Sequence, residues 1–406
     1  MSQVNRPMHH NRFAASQSDM HFTASILKRL LKELHSAAHW LFDFWFRTSK
    51  RLFIVSIPEW MQPAQRTIQD RLHFYFPDLT SANITTTSSL PWRAVLSLQP
   101  VMFFRKMKRW ESMASKFLPN WFYIDCHHHA LDGWEWIRAA HYHRRHRTDV
   151  HLSRTRFTRR IEELKSQGLK RSYIFGTGPS LEKAICRDWS DGYRIVSNTI
   201  VRDPDLWRHL DPHFIVAADA IYHFGHTAFA RAFRKDLATR LEETQTFFVY
   251  PAFFDEVVQR EFMDFRHRII PIPTGVHLQV EVNLCARFQL PNLGNVLALM
   301  LLPLGCTLAR TVCLWGFDGR APQDKLFWAN SNKHTYIELM PELQKAHPQF
   351  FEHHVPRQNP AKYVMNVHGE LLDQRLLEAE AAGYRFRMLH PSWTRTLQKR
   401  FDPQIP

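Results

Sequence analysis

Cysteine is scarce and scattered in this chain. Its 406 residues hold five, Cys126, Cys186, Cys285, Cys306 and Cys313, odd in number, far apart and without a CxxC pair. That excludes a disulfide framework and makes reduced thiols in apolar surroundings the expected state. Long hydrophobic runs are also missing. The most apolar stretch, Ala37 to Phe46, is short and carries His39 and Asp43, whereas a bilayer-spanning helix needs about 20 apolar residues. The first twenty residues are polar and contain no apolar signal segment, so the expected location is the cytoplasm. No GxGxxG, Walker lysine or HExxH spacing occurs, so no single motif names the chemistry.

What is present is an ordinary globular composition, 45% apolar and 22% charged, with thirteen Trp and thirty-one Phe to build a core. The net charge of +15 is unevenly placed. Residues 1–170 hold 26 basic and 13 acidic residues, an excess of +13, while residues 171–406 hold 27 and 25, an excess of +2. The shift divides the chain into two regions with different partners. No stacking or recognition-helix motif accompanies the basic excess, so nucleic acid is not expected as a partner.

The N-terminal part reads as a disordered tail over 1–22 and a basic, mainly helical region over 23–165. Ser25 to Ile57 shows a helical pattern, with Leu27, Leu30, Leu31, Leu34, Trp40, Leu41, Phe44 and Trp45 on one face and lysines and arginines beside it. Such a helix either packs on the rest of the protein or lies in a membrane interface rich in anionic lipid. Peripheral contact with the inner face of the membrane would use residues 23–57 and the apolar-then-basic segment 95–109. Cys126 to His151 is dense in histidine and arginine, a pattern open to metal or phosphate binding and equally to a solvated helical face.

From Arg171 onward short apolar runs alternate with helical patterns, which is how a parallel sheet is encoded. Strands are expected at 172–175, 194–197, 214–218, 246–250, 268–272, 312–315 and 385–389. Helices are expected at 295–304, 370–382 (stopped by Gly383) and 392–401. The fold class is therefore α/β: a Rossmann-like, mostly parallel sheet with helices on both faces over 171–406, after the mainly helical basic region.

Polar residues follow several of these strands. The first is followed by Gly176, Thr177, Gly178, Pro179 and Ser180, a tight turn into a helix start whose N–H groups could attract phosphate. The second ends in Ser197-Asn198, the third in Asp219, the sixth in Gly316-Phe317-Asp318 and the last in His390-Pro391-Ser392. In an open parallel sheet this edge carries the ligand crevice. Asp203-Pro204-Asp205 mimics a metal-holding DxD, but Asp, Pro and Asp are also the residues of an N-cap, N1 and first turn, so no metal is assigned to it. His368 lies in a loop before a helix and titrates near neutral pH, which suits a general base.

In order and spacing, Ile174 to Leu181, Asn198, Gly294 opening an apolar helix, Leu314 to Asp318 and His368 resemble the bacterial sialyltransferases of glycosyltransferase family 42. Phe214 to Gly225 resembles the related MptE-like family, which includes 6-hydroxymethylpterin diphosphokinases. The resemblance covers about 171–395. It implies metal-independent, inverting transfer from a CMP-sugar to a glycan or lipid-linked acceptor in surface polysaccharide synthesis, with no other cofactor. His368 would be the base. Gly176 to Ser180, Asn198, Gly294, Asn295 and Gly316 to Asp318 would hold the donor. Asp219 joins this binding set from its place at a strand end. Thr177 and Leu293 depart from the family's Asn and Ser, and no tyrosine follows Asp318. Arg320 or Lys325 would then neutralise the leaving phosphate. Two alternatives stand beside this reading: an ATP-dependent pyrophosphokinase using Asp219 and Asp318, and a non-catalytic nucleotide-binding protein of glycan assembly.

Overall fold

The computed structural model describes residues 53–57, 65–77, 82–85, 101–104, 107–115, 118, 121–124, 134–143, 148–319, 333–347, 351, 370–401 and 403. Two all-parallel sheets organise them. The first has β1 (Phe53–Ser56), β2 (Ala82–Thr85), β3 (Val101–Phe103) and β4 (Trp121–Tyr123) in the order β2-β1-β3-β4. Helix α1 (Gln65–Tyr75) lies between β1 and β2, α2 (Arg109–Ala114) between β3 and β4, and α3 (Trp134–His143) after β4.

The second sheet is an α/β, Rossmann-like sheet. It contains β5 (Arg171–Phe175), β6 (Tyr193–Ser197), β7 (Phe214–Val216), β8 (Phe247–Pro251), β9 (Ile269–Ile272), β10 (Thr311–Trp315) and β11 (Arg385–Met388). Their order is β11-β10-β5-β6-β7-β8-β9, and every adjacent pair is parallel. All seven expected strands are present, within two residues at each end.

Alternation along these strands produces two cores. Tyr173, Phe175, Val196, Ile215, Phe248 and Tyr250 face one side, and Ile174, Ile195, Phe214, Val216 and Val249 face the other. The first side is covered by α5 (Pro204–Leu210), α6 (Ala228–Glu243), α7 (Asp255–Glu261) and α9 (Met340–Ala346), with Ile68, Leu72 and Trp136 of the N-terminal helices in the same cluster. The second is covered by α4 (Val150–Lys165), an apolar helix from Leu297 to Leu308 and α10 (Glu370–Ala381); α8 (Leu302–Leu308) forms the later part of that apolar helix.

Four features correct the sequence reading. The helical pattern over Ser25 to Ile57 ends in strand β1, and the rest of that segment, like the tail 1–22, lies outside the described residues. The N-terminal region contains a parallel sheet as well as helices. Three of its strands carry only a three-residue apolar run (Phe53–Val55, Val101–Phe103 and Trp121–Tyr123), which periodicity cannot separate from buried helix. Within 95–109, Val101 to Phe104 are buried in that sheet and unavailable to a lipid surface. Helix α4, placed by sequence in the N-terminal region, packs Phe157, Ile161 and Leu164 into the seven-stranded sheet, and Arg156 donates to the Ile269 carbonyl at 2.8 Å.

Two helices also differ in extent. The helix expected at 295–304 runs on to Leu308 and opens as a π turn over Leu297–Leu301. Its register changes beside Pro303, which has no N–H to donate. The terminal helix shrinks to α11 (Arg395–Gln398). Gly383 does adopt φ +87° after α10. Among the described residues no helix is long and apolar enough to cross a membrane.

Candidate functional site

The order of the seven strands creates a switch point. From β5 the chain steps outward through β6, β7, β8 and β9, then returns along the Leu297–Leu308 helix to place β10 on the other side of β5. Connections leave β5 and β10 in opposite directions, and such a point opens a crevice at the carboxyl ends of the strands. Register levels those ends, since Phe175 pairs with Trp315 and with Val196, Ser197 with Val216, and Leu314 with Met388.

At the switch point the two turns lie backbone against backbone. Gly176 N–H donates to the Trp315 carbonyl and Gly178 N–H to the Gly316 carbonyl, both at 2.8 Å. Gly316 has φ +78°, and a Cβ there would stand 2.2 Å from the Gly176 oxygen. A Cβ on Gly178 would meet Asp318 Oδ2 at 2.1 Å. Only glycine fits either place.

Asp318 joins the turns further. Its carboxylate accepts from Ser180 N–H at 3.1 and 3.2 Å and from Ser180 Oγ at 2.9 Å. Ser180 Oγ also lies 2.8 Å from His390 Nε2, which accepts from Gly316 N–H at 2.9 Å. A backbone N–H can only donate, so Nε2 is unprotonated and the proton sits on Nδ1, 2.8 Å from the Pro391 carbonyl. Burial lowers the His390 pKa and favours that neutral ring. Trp315 Nε1 donates to the Ser180 carbonyl at 2.9 Å, and Ser392 Oγ to the Phe317 carbonyl at 2.7 Å. Three strand ends are thus held by one network.

This network revises one expectation. The helix after Gly178 is a 3-10 helix, Pro179–Cys186, and its leading amide is already capped by Asp318. Pro179 has no N–H, and Gly176, Gly178 and Ser180 donate within the protein. The turn therefore does not present a row of free amides to phosphate; the carboxylate of Asp318 fills the place an anion would take.

The other residues stand along the same edge. Asn198, after β6, holds φ +54°, a left-handed conformation uncommon outside glycine and typical of functional positions. Asp219, after β7, has Oδ1 bonded by Ile221 N–H and Tyr222 N–H at 2.7 and 2.8 Å. Burial raises its pKa while those two donors pull it down. Asp219 N–H donates to His223 Nδ1 at 3.2 Å, and burial pushes His223 down to about 3. Asn295 Oδ1 accepts from Ala298 N–H at 2.9 Å and caps the apolar helix, with Gly294 exposed beside it.

The structure therefore brings Gly176, Gly178, Ser180, Gly316, Phe317 and Asp318 into one cluster, with half-buried Thr177 and exposed Pro179 on the same turn. Asn198, Asp219, Gly294 and Asn295 belong to neighbouring connections. His368, Arg320 and Lys325 lie outside the described residues, as do Cys126 to His129. Asp203 is the N-cap that sequence implied, accepting from Asp205 and Leu206 N–H at 3.1 and 3.0 Å. Cys306 and Cys313 are buried, but Cys186 is exposed and Cys285 half-buried, so apolar surroundings hold for only two of the four described thiols. His390 is the residue sequence reasoning undervalued: its one signal was its place after a strand, in a chain with 25 histidines.

Comparison of the chain with known protein families, with curated proteins and with solved structures finds no match. The class of protein rests on the fold, an α/β protein with a seven-stranded parallel sheet and a topological switch point between β5 and β10.

Proposed function

We propose that this protein is a nucleotide-dependent glycosyltransferase that takes a CMP-sugar donor and transfers the sugar, with inversion and without a metal, to a glycan or lipid-linked acceptor. One observation supports the reading: polar residues follow several strands at the same edge of the sheet, with Ser180, Asp318 and His390 joined across the ends of β5, β10 and β11 and Asn198, at φ +54°, following β6. In this proposal Thr177 and the Asn198 side chain meet the nucleotide phosphate, because the glycine amides are already engaged. The Asp318 network fixes the turn that positions them. His368 acts as base toward the acceptor hydroxyl, and Arg320 faces the leaving phosphate. Peripheral attachment to the inner face of the membrane would come from residues 23–57.

The test is incubation of the full chain with CMP-sugars, following CMP release and transfer to glycan acceptors. CMP should also raise the melting temperature more than UMP, GDP or ATP does, since a ligand that binds only the folded form stabilises it. Release that persists at the same rate in His368→Ala would remove the proposed base.

A second reading has its own observation. Asp318 fills the anion position at the glycine turn, as expected of a member that binds a nucleotide weakly and assists glycan assembly without catalysis. Stabilisation by CMP without any CMP-sugar turnover would favour it. The pyrophosphokinase alternative needs Asp318 to hold Mg²⁺, yet both its oxygens accept from Ser180; stabilisation by ATP only with Mg²⁺ would revive it.

A further inference from the structure

Helix α2 lies between β3 and the edge strand β4, and its two sides differ. One side faces inward. Glu111 is fully buried and its carboxylate accepts from Lys108 N–H at 2.7 Å. Ala114, with Met107 and Leu118 next to the helix, packs on the buried cluster of Val101, Phe103 and Trp121. The other side meets solvent. Trp110 is 43% exposed and Met113 65%, and Lys108, Arg109 and Ser112 are exposed with them. Three residues apart, Trp110 and Met113 are neighbours on the helix surface. The Trp110 ring meets that of Trp121 edge to face, 6.1 Å between centroids at 74°. One side of the indole is therefore seated on the sheet while the rest is presented outward.

The charge around this surface has one sign. Between Val101 and Ile124 the chain carries Arg105, Lys106, Lys108, Arg109 and Lys116 against a single acidic residue, Glu111. Because Glu111 is buried, no carboxylate of this stretch reaches the solvent. A lone exposed apolar residue is ordinary protein surface. A tryptophan and a methionine side by side, flanked by cations and by no exposed anion, form an amphipathic surface.

A nucleic-acid backbone would satisfy the cations and leave the Met113 side chain in water. A second copy of this chain, docked through the same patch on both molecules, would bring like charges together. A bilayer with anionic lipid satisfies both halves of the surface. Its headgroups attract Lys and Arg, and Trp favours the boundary between headgroups and acyl chains. We propose that α2 docks this protein on an anionic membrane surface, with Trp110 and Met113 entering the interface and Lys108 and Arg109 on the lipid phosphates. This deepens the membrane half of the function proposed above by adding a second point of attachment, and it does not depend on sugar transfer.

The test is sedimentation of the full chain with vesicles of phosphatidylcholine alone and of phosphatidylcholine mixed with phosphatidylglycerol. The unaltered protein should bind the mixed vesicles roughly tenfold or more better than the neutral ones, since each cation near an anionic surface contributes about fivefold. Lys108→Glu/Arg109→Glu should lower binding to the mixed vesicles by tenfold or more, and Trp110→Ser/Met113→Ser by about tenfold. If the tryptophan variant fails to fold, Met113→Glu, at the most exposed of these positions, carries the apolar arm and should weaken binding in the same direction. An unaltered chain that does not bind, or charge and apolar variants that bind as well as it does, overturns the proposal. So does a charge variant that loses vesicles and a single-stranded oligonucleotide alike while Met113→Glu keeps its vesicles, because the surface would then be a polyanion site. The melting shift given by CMP is measured beside these. Vesicle binding through α2 without a CMP response keeps the membrane surface and ends the transferase reading; a CMP response without vesicle binding ends the membrane surface alone.

Discussion

The two sheets of this protein are built alike and end differently. Both are wholly parallel, and in both the first strand lies inside the sheet, so that each has a point where strand order reverses. The residues just past the strands separate them. After β1, β3 and β4 come Ile57, Phe104 and Ile124, all buried. After β5, β6 and β10 come Gly176, Asn198 and Gly316, and two residues beyond the end of β11 stands His390. An apolar residue at a strand end extends the core; a glycine or a polar residue opens a place where backbone and side chains can meet a ligand. Topology alone does not make a site. The residues at the carboxyl edge do.

The comparison can be broken most forcefully at Gly316. Gly316→Ala puts a methyl group against the Gly176 oxygen in a left-handed backbone, and should cost about 4–5 kcal/mol in denaturant unfolding together with the CMP response. A loss under about 1 kcal/mol would show that the two turns can part freely.

Phe104→Ala is the matching cut in the first sheet. Removing a fully buried ring there should cost about 3–4 kcal/mol. CMP affinity, measured in molecules that remain folded, should be unchanged. A parallel fall in affinity would mean that the first sheet helps to form the crevice.

Acid should act on the second sheet through its histidines. His390, His223 and His213 each accept a backbone N–H, from Gly316, Asp219 and Arg194. Burial is the leading cause that lowers all three, to about 3 for His213 and His223. The unfolded chain therefore takes up protons first, below its ordinary histidine pKa near 6.5. Stability contributed by the neutral rings is full above that value and is lost as pH falls toward 3. For His213 and His223 the loss should be about 2 kcal/mol each by pH 5. His223→Gln should flatten the slope of unfolding free energy between pH 6.5 and 5 by one proton; an unchanged slope would show that this ring is protonated in the folded protein.

The smallest effect sharpens where the two regions divide. Asp149 caps α4 by accepting from Leu152 N–H at 2.8 Å, and Asp149→Ala should cost about 1 kcal/mol. Because α4 packs on β9, with Ser153 Oγ donating to the Pro271 carbonyl at 2.7 Å, that loss should appear in the unfolding of the second sheet. A fragment beginning near Thr148 should retain α4 and show the same sensitivity to the cap.

Charge tells a related story. Part of the basic excess counted before residue 171 belongs to α4, where Arg154 and Arg156 donate to the carbonyls of Cys285 and Ile269 at 2.9 and 2.8 Å. These arginines satisfy backbone groups of β9 and of the connection that follows it. A count by sequence position assigned them to the wrong region, because composition records what a residue carries and not what it touches.

Local chemistry made the second sheet legible. Most of its strands are short apolar runs bounded by turn residues, and Asp203-Pro204 and Gly383 mark a helix start and a helix end through conformational preferences that act within a few residues. The glycine turn was legible as a close approach for the same reason. What approaches it was not. Asp318 and His390 reach Ser180 from 138 and 210 residues away, and His334 comes to lie against Asp203 across a similar gap. The first sheet was hidden because its strands are too short to show a period of two. Preferences of single residues and neighbours determined the strands, caps and turns; only the order of strands in the folded sheet decided which turns would share an edge, and therefore which amides were already occupied and which side chains were left for a ligand.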